Sequence, residues 1–240
     1  MPMIWLHSLS ARDVHRYRGL PIILPIASVE NHGVLPLGTD IVFAKCVLQR
    51  LRVDVLALPP VPISVSTEHL GTGSTLSISY RVFGEYIHEL LTSLIRAVPE
   101  SPTLVACFHG GSFHVLQPVV RTLRAEGVRV ALYTPYPAIE RYLRERYDVV
   151  YRPIHADPVE ASILLACDMN MPYVEEKPIE EVIEVLRRWS RRGLAYSYGY
   201  WTWRDIAERY GVATLPASRT LGKELVDVVV SDLETSVREL

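Results

Sequence analysis

The sequence predicts a single α/β domain over residues 1–240, a mainly parallel sheet with helices on both faces. Three observations carry this. Short apolar runs alternate along the chain with segments of helical spacing. No repeat, low-complexity tract or linker divides the chain, whose length suits one α/β domain. The two densest polar clusters, residues 28–40 and 109–114, each follow directly on an apolar run, where parallel sheets place their sites.

The elements follow in order. Residues 21–27 (PIILPIA) are apolar and bounded by polar residues, so they read as a buried strand. Residues 28–39 carry His, Asn, Pro and two Gly and read as a loop. Asp40 precedes an apolar-periodic segment (Ile41, Phe43, Ala44, Val47, Leu48, Leu51), which predicts a helix with Asp40 as its N-cap. Residues 53–58 predict a second strand, stopped by Pro59 and Pro60. Residues 62–79 form a long polar connection with brief strand-like pieces. Helical spacing over 80–98, a strand over 103–108, a helix to about Ala125 ended by Gly127, and a strand over 128–133 come next. Helices follow near 138–146, 158–167 and 179–191, and a last one runs from about Pro216 to the C-terminus. The charged run 175–192 reads as a solvated helix face. The alternating aromatics Tyr196, Tyr198, Tyr200, Trp201 and Trp203 read as core, substrate wall or subunit contact.

Composition excludes several classes. The 49% hydrophobic content supplies a sizeable core. With 25 basic and 27 acidic residues the net charge is −2, which argues against a nucleic-acid surface or a polybasic membrane anchor. No apolar run approaches the roughly 20 residues of a membrane span. Charged residues appear by position 12 without an apolar leader, so no signal peptide is expected. Cys46, Cys107 and Cys167 lie in apolar stretches without close pairing, and read as core thiols of a reducing compartment. The expected location is cytoplasmic.

Three clusters carry chemistry. In residues 30–40 (ENHGVLPLGTD), Glu30 and His32 are two apart and point the same way on an extended segment, and Asp40 returns at the next helix. Glu, His and Asp suit Zn2+, Mn2+ or Fe2+; the same residues also describe a solvated loop with a cap. At residues 109–112 (HGGS), Gly110 and Gly111 let backbone approach a ligand before a helix N-terminus, or simply make a tight turn. At residues 155–162 (HADPVEAS), Pro158 suits a first helical turn, Asp157 a cap, and Glu160 then lies near His155. Residues 66–75 (STEHLGTGST) read as a surface loop unless they rim the site. No G-x-S-x-G elbow supports a serine nucleophile.

Together these ordered segments resemble the creatininase superfamily of metal-dependent amidohydrolases. The family's E-x-H-G loop ending in L-P-x-G-T-D is matched from Glu30 to Asp40, its strand-end H-G-G-N by residues 109–112, and its H-A-x-x-x-E-T-S by residues 155–162. A weaker match, S-x-E-H followed by G-x-T, falls on residues 66–75. The resemblance implies two divalent ions (Zn2+, Fe2+ or Mn2+). Glu30 and His109 would hold one, His32 the other, with Asp40 bridging and Glu160 completing the ligands of the second ion. His155 would donate a proton or orient, with Glu160 beside it. Gly110, Gly111, Ser112, Glu68 and His69 would contact substrate.

The chain departs from the family pattern in places. Its loop is one residue shorter and lacks a second His, Cys107 and Ser112 replace asparagines, and Gly111 stands where some relatives carry a carboxylate. The implied partner is a small-molecule amide, with a homo-oligomer and without nucleic acid or membrane. Within the family, an archaeal deformylase of a formylamino-pyrimidine ribosyl phosphate is the preferred relative, ahead of creatinine ring opening and cofactor-precursor peptidase activity. A binding protein that kept the fold and lost catalysis is the rival from another class.

Overall fold

The structure, a computed structural model, describes residues 3–151, 155–191 and 214–240. The aromatic alternation at 196–203 and the end of the charged run at Arg192 lie outside the described residues.

Five parallel strands form the main sheet: β1 (Ile4–Trp5), β2 (Ile22–Ile26), β3 (Leu56–Ala57), β4 (Thr103–Cys107) and β5 (Val130–Tyr133), in the order β1-β3-β2-β4-β5. Every residue of β2 and β4 is buried, as a parallel strand covered on both faces requires. Side chains alternate across the sheet. Ile23, Leu104 and Ala106 face one core cluster, and Leu24, Ile26, Val105 and Cys107 face the other. Strand β2 carries Pro25 although it is central. The missing N–H falls on the β3 side, where ladder pairing stops at Ile23; the Val61 N–H instead reaches Pro25 O at 2.9 Å.

Helices α1 (Thr39–Leu48), α4 (Tyr136–Tyr147), α5 (Pro158–Ala166), α6 (Ile179–Arg191) and α7 (Arg219–Arg238) contribute to the first core, and α2 (Tyr80–Ala97) and α3 (Gly110–Ala125) to the second. Helix α2 starts on Ser79, whose hydroxyl accepts the Val82 N–H, and buries Phe83, Ile87, Leu91 and Leu94 along one stripe. Helices α5 and α7 cross at Gly222, where a Cβ would stand 1.8 Å from Ser162 O. Adjacent strands β2 and β4 therefore send their helices, α1 and α3, to opposite faces. That divergence opens a crevice at their carboxyl ends, the place where open α/β sheets bind ligands. No helix among the described residues is long and apolar enough to cross a membrane.

Four expectations are corrected. Asp40 is not an N-cap: α1 begins at Thr39 with Gly38 as its cap, and Asp40 sits in the first turn with its carboxylate turned inward. Only Leu56–Ala57 of the expected second strand pairs, because the prolines that follow cannot continue a ladder. Pro216 lies in β7 (Leu215–Ala217), paired with β6 (Val174–Glu176), and α7 starts after Ser218, whose hydroxyl accepts the Leu221 N–H. Cys46 and Cys167 are not free thiols. They form a disulfide across 121 residues that ties the C-terminal ends of α1 and α5. Arg50 reinforces that junction by donating to Cys46 O and Ala166 O. Cys107 is a buried thiol as expected, and burial pushes its pKa up to about 12.

Candidate metal centre

Strand β2 runs out into Ser28, Glu30 and His32, three residues in extended alternation. Gly33 then reverses the chain at φ +61°, and the Asn31 side chain accepts its N–H at 2.8 Å. The return brings Asp40 back beside Ser28, whose hydroxyl donates to Asp40 Oδ2 at 2.8 Å. Strand β4 delivers His109 just before α3. Asp157 caps α5 by accepting the Val159 and Glu160 N–H groups. Ala156, at φ +56°, donates its N–H to Glu160 Oε2 at 2.8 Å, so His155 and Glu160 are held as one unit. The short turn Thr67–His69 supplies His69.

These segments converge on one point. Around Glu30 Oε1 stand His109 Nδ1 at 3.4 Å, His155 Nδ1 at 3.5 Å, His32 Nε2 at 3.8 Å and His69 Nε2 at 4.0 Å. Asp40 divides its oxygens: Oδ2 lies 3.1 Å from His109 Nδ1 and Oδ1 3.6 Å from His32 Nε2. Donors that share one ion at ordinary metal–ligand lengths stand no more than about 4.3 Å apart. Every separation above meets that limit. Three triads cluster in this way: Glu30 with His32 and Asp40, Glu30 with His69 and His155, and His32 with His155 and Glu160.

The ring orientations fit ligation. A nitrogen that faces a carbonyl can only donate. His109 Nε2 faces Val65 O at 2.7 Å, His32 Nδ1 faces Glu30 O at 3.2 Å, and His155 Nε2 faces Asn31 O. In the His109 and His32 rings the other nitrogen is left for an ion, the arrangement that carbonyls behind metal-bound histidines impose, and His155 turns its Nδ1 towards Glu30 at 3.5 Å. Glu30 Oε2 and His32 Nε2 are buried without a hydrogen-bond partner. Buried polar atoms rarely stay unpaired, so the donor set fits divalent ions that would satisfy them.

Electrostatics agree. Burial disfavours a charged Asp40, but the His109 and His32 rings beside it more than offset it and hold the carboxyl well below its usual range. Burial likewise opposes charge on His32 and His109. The neighbouring carboxylates prevail, raising His32 to about 9 and His109 to about 10. Burial raises Glu160 to about 8. His69 falls to about 4 and His155 well below its ordinary value, through burial and then the charge on neighbouring histidines. The centre thus concentrates positive charge at His32 and His109, the positions that face the carboxylates.

All five expected ligands, Glu30, His32, Asp40, His109 and Glu160, come together here, with His155 beside them. Ser112 is buried, and its hydroxyl accepts the Val65 N–H at 3.3 Å, tying α3 to the loop after β3. Gly110 and Gly111 open α3, and Glu68 lies against Gly111. The loop holding residues 66–75 does rim the site: Asn31 donates to Thr72 O and to Thr75 Oγ1. One contributor escaped the sequence reading: Ser28 orients Asp40, and its two-residue phase with Glu30 and His32 was the available sign. His69, expected among the substrate contacts, enters the cluster itself.

No curated protein is significantly similar to the chain in sequence. Solved structures are similar in fold. A tryptophan-to-phenylalanine variant of creatininase, type II, superposes with a TM-score of 0.72 at 17% identity, over 98% of this chain and 97% of that one. Creatininase in a structure designated Mn gives 0.71 at 16% identity, over 99% and 98%. A putative creatinine amidohydrolase from Bacteroides fragilis gives 0.64 at 18% identity, over 98% and 95%. The sequence also matches the creatininase (creatinine amidohydrolase) family profile across residues 7–237, and the chain belongs to that family.

Proposed function

We propose that this chain is an amidohydrolase that uses two divalent ions to cleave a small non-peptide C–N bond. The observation that supports the reading is the division of Asp40 between His109 and His32, which suits it to bridge two ions. Glu30 and His109 would hold one ion, and His32 and Glu160 the other. Bound divalent ions supply Lewis acidity and lower the pKa of water, giving a nucleophile at neutral pH without Ser or Cys.

The chain's own residues do the rest. Ser28 fixes the Asp40 carboxylate. Val65 O and Glu30 O fix the rings of His109 and His32. His155, anchored through Nε2 to Asn31 O and neutral near pH 7, takes a proton at Nδ1 and returns it to the leaving nitrogen. Gly110 and Gly111 present backbone to the carbonyl oxygen.

The proposed substrate is a formylamino-pyrimidine ribosyl phosphate, cleaved to formate and the free amine. Its support is the seclusion of the donors: Glu30, His32, Asp40 and His109 are each no more than 3% exposed. A formamide is the smallest amide, and it reaches such a centre more readily than a bulky acyl group. Protein purified without chelator is expected to carry near two ions per chain, to lose them in Asp40→Ala, and to release formate from this substrate. Metal without formate release sinks the substrate; no metal under any loading sinks the reading as a whole.

A further inference from the structure

A side chain at position 111 has nowhere to go. A Cβ there would meet Glu68 Oε1 at 2.4 Å, His109 Nε2 at 2.7 Å and Val65 O at 2.8 Å. The loop after β3 and its turn Thr67–His69 have closed over Gly111, and the next residue of that turn faces the metal centre. His69 is 4% exposed, yet it does not pack as an apolar core residue. Its ring stacks on His155 at 4.0 Å, and His155 lies tilted against His32 with ring centroids 4.1 Å apart. Its Nε2 lies 4.0 Å from Glu30 Oε1, inside the separation that two ligands of one ion allow.

We infer that His69 is a metal ligand, delivered through Nε2 by the loop that fills the space over Gly111, so that three imidazoles (His32, His69 and His109) stand with the three carboxylates of the centre. The inference rests on the dinuclear reading above. It has a chemical consequence: imidazole-rich sets suit Zn2+ or Fe2+, whereas carboxylate-rich sets suit Mn2+. His69 therefore sets which ion the site retains.

The test uses full-length protein, Zn2+ and Mn2+ alone as probes, and His69→Gln. Zinc-edge X-ray absorption of the wild type is expected to count at least three imidazoles per two ions. His69→Gln should show one fewer, with Zn2+ affinity at least about tenfold weaker by competition with a chromogenic chelator and Mn2+ affinity little changed. Melting of both proteins in chelator checks that the variant folds; the wild-type imidazole count stands without it. Two imidazoles per two ions in the wild type, or equal Zn2+ affinity in a folded His69→Gln, would overturn the inference. If the wild type holds two ions that Asp40→Ala abolishes while His69→Gln changes nothing, only this inference falls. If the wild type holds none, the dinuclear reading falls and takes this with it.

Discussion

Protons and divalent ions compete for the same atoms in this centre. Without ions, His32 and His109 keep their protons to about 9 and 10, against an ordinary 6.5, and Glu160 to about 8, against 4.5. The folded chain therefore binds these protons more tightly than the unfolded chain does. Their contribution to stability is complete below the unfolded values and is lost as pH rises through about 8 to 10. His69 and His155 have the opposite sign. Their depressed values favour the folded state above 6.5, and that contribution fades as pH falls, for His69 through about 4. Metal-free protein should lose several degrees of melting temperature across about pH 8 to 10, while metal-loaded protein, whose ions have displaced the protons, stays level. Thermal melts in chelator and in Zn2+ over that interval check it; identical slopes would contradict the ligand assignment.

Elements meet where two small features allow them to. Helices α5 and α7 touch at Gly222, and Gly222→Ala would place a Cβ 1.8 Å from Ser162 O and 2.4 Å from its carbonyl carbon. Backbone cannot yield as a side-chain tip does, so the helices must separate. The expected cost lies at or beyond the upper end of the about 1–3 kcal/mol usual for overpacking, read as a lowered denaturant midpoint. A cost below half a kilocalorie would show that the crossing is loose. At the opposite ends of α1 and α5, the Cys46–Cys167 bond closes a loop of 121 residues. Its reduction, or the double change Cys46→Ser with Cys167→Ser, is expected to remove about 2–4 kcal/mol. Because α1 carries Asp40 and α5 carries Glu160 at their other ends, metal retention measured on the same samples shows whether the bond also steadies the site.

Ion binding and folding are linked across the whole molecule, since donors from residues 30 to 160 meet only in the native state. Free Zn2+ at about 100 times its Kd stabilises the fold by about 2.7 kcal/mol per site. In a domain of this size that is roughly 5–11 °C of melting temperature. A scanning-calorimetry titration of chelator-stripped protein reads it directly. An unchanged transition would mean that the donors meet without an ion to share.

Most of the fold and the core of the site were legible in the chain itself, because both rest on local pattern. Buried parallel strands are short apolar runs, amphipathic helices repeat at helical spacing, and Glu30 with His32 keep the two-residue phase of an extended segment. Asp157 announced its cap through Pro158. What depends on distant partners was not legible. Asp40 has the position of a cap and was given a bridging role only through the family resemblance; the turn at Gly33 is what draws its carboxylate inward to Ser28 and the histidines. Cys46 and Cys167 carry no spacing that pairs them, and it is the packing of α1 beside α5 that brings their Cα atoms to 5.8 Å. His69 was expected only as a substrate contact, and its place among the donors shows once that loop closes over Gly111. Sequence determined which elements form and which ligand types the chain carries, since those follow from periodicity and local chemistry. Tertiary structure alone decided which donors share a point, because that depends on where strands of one sheet send their loops.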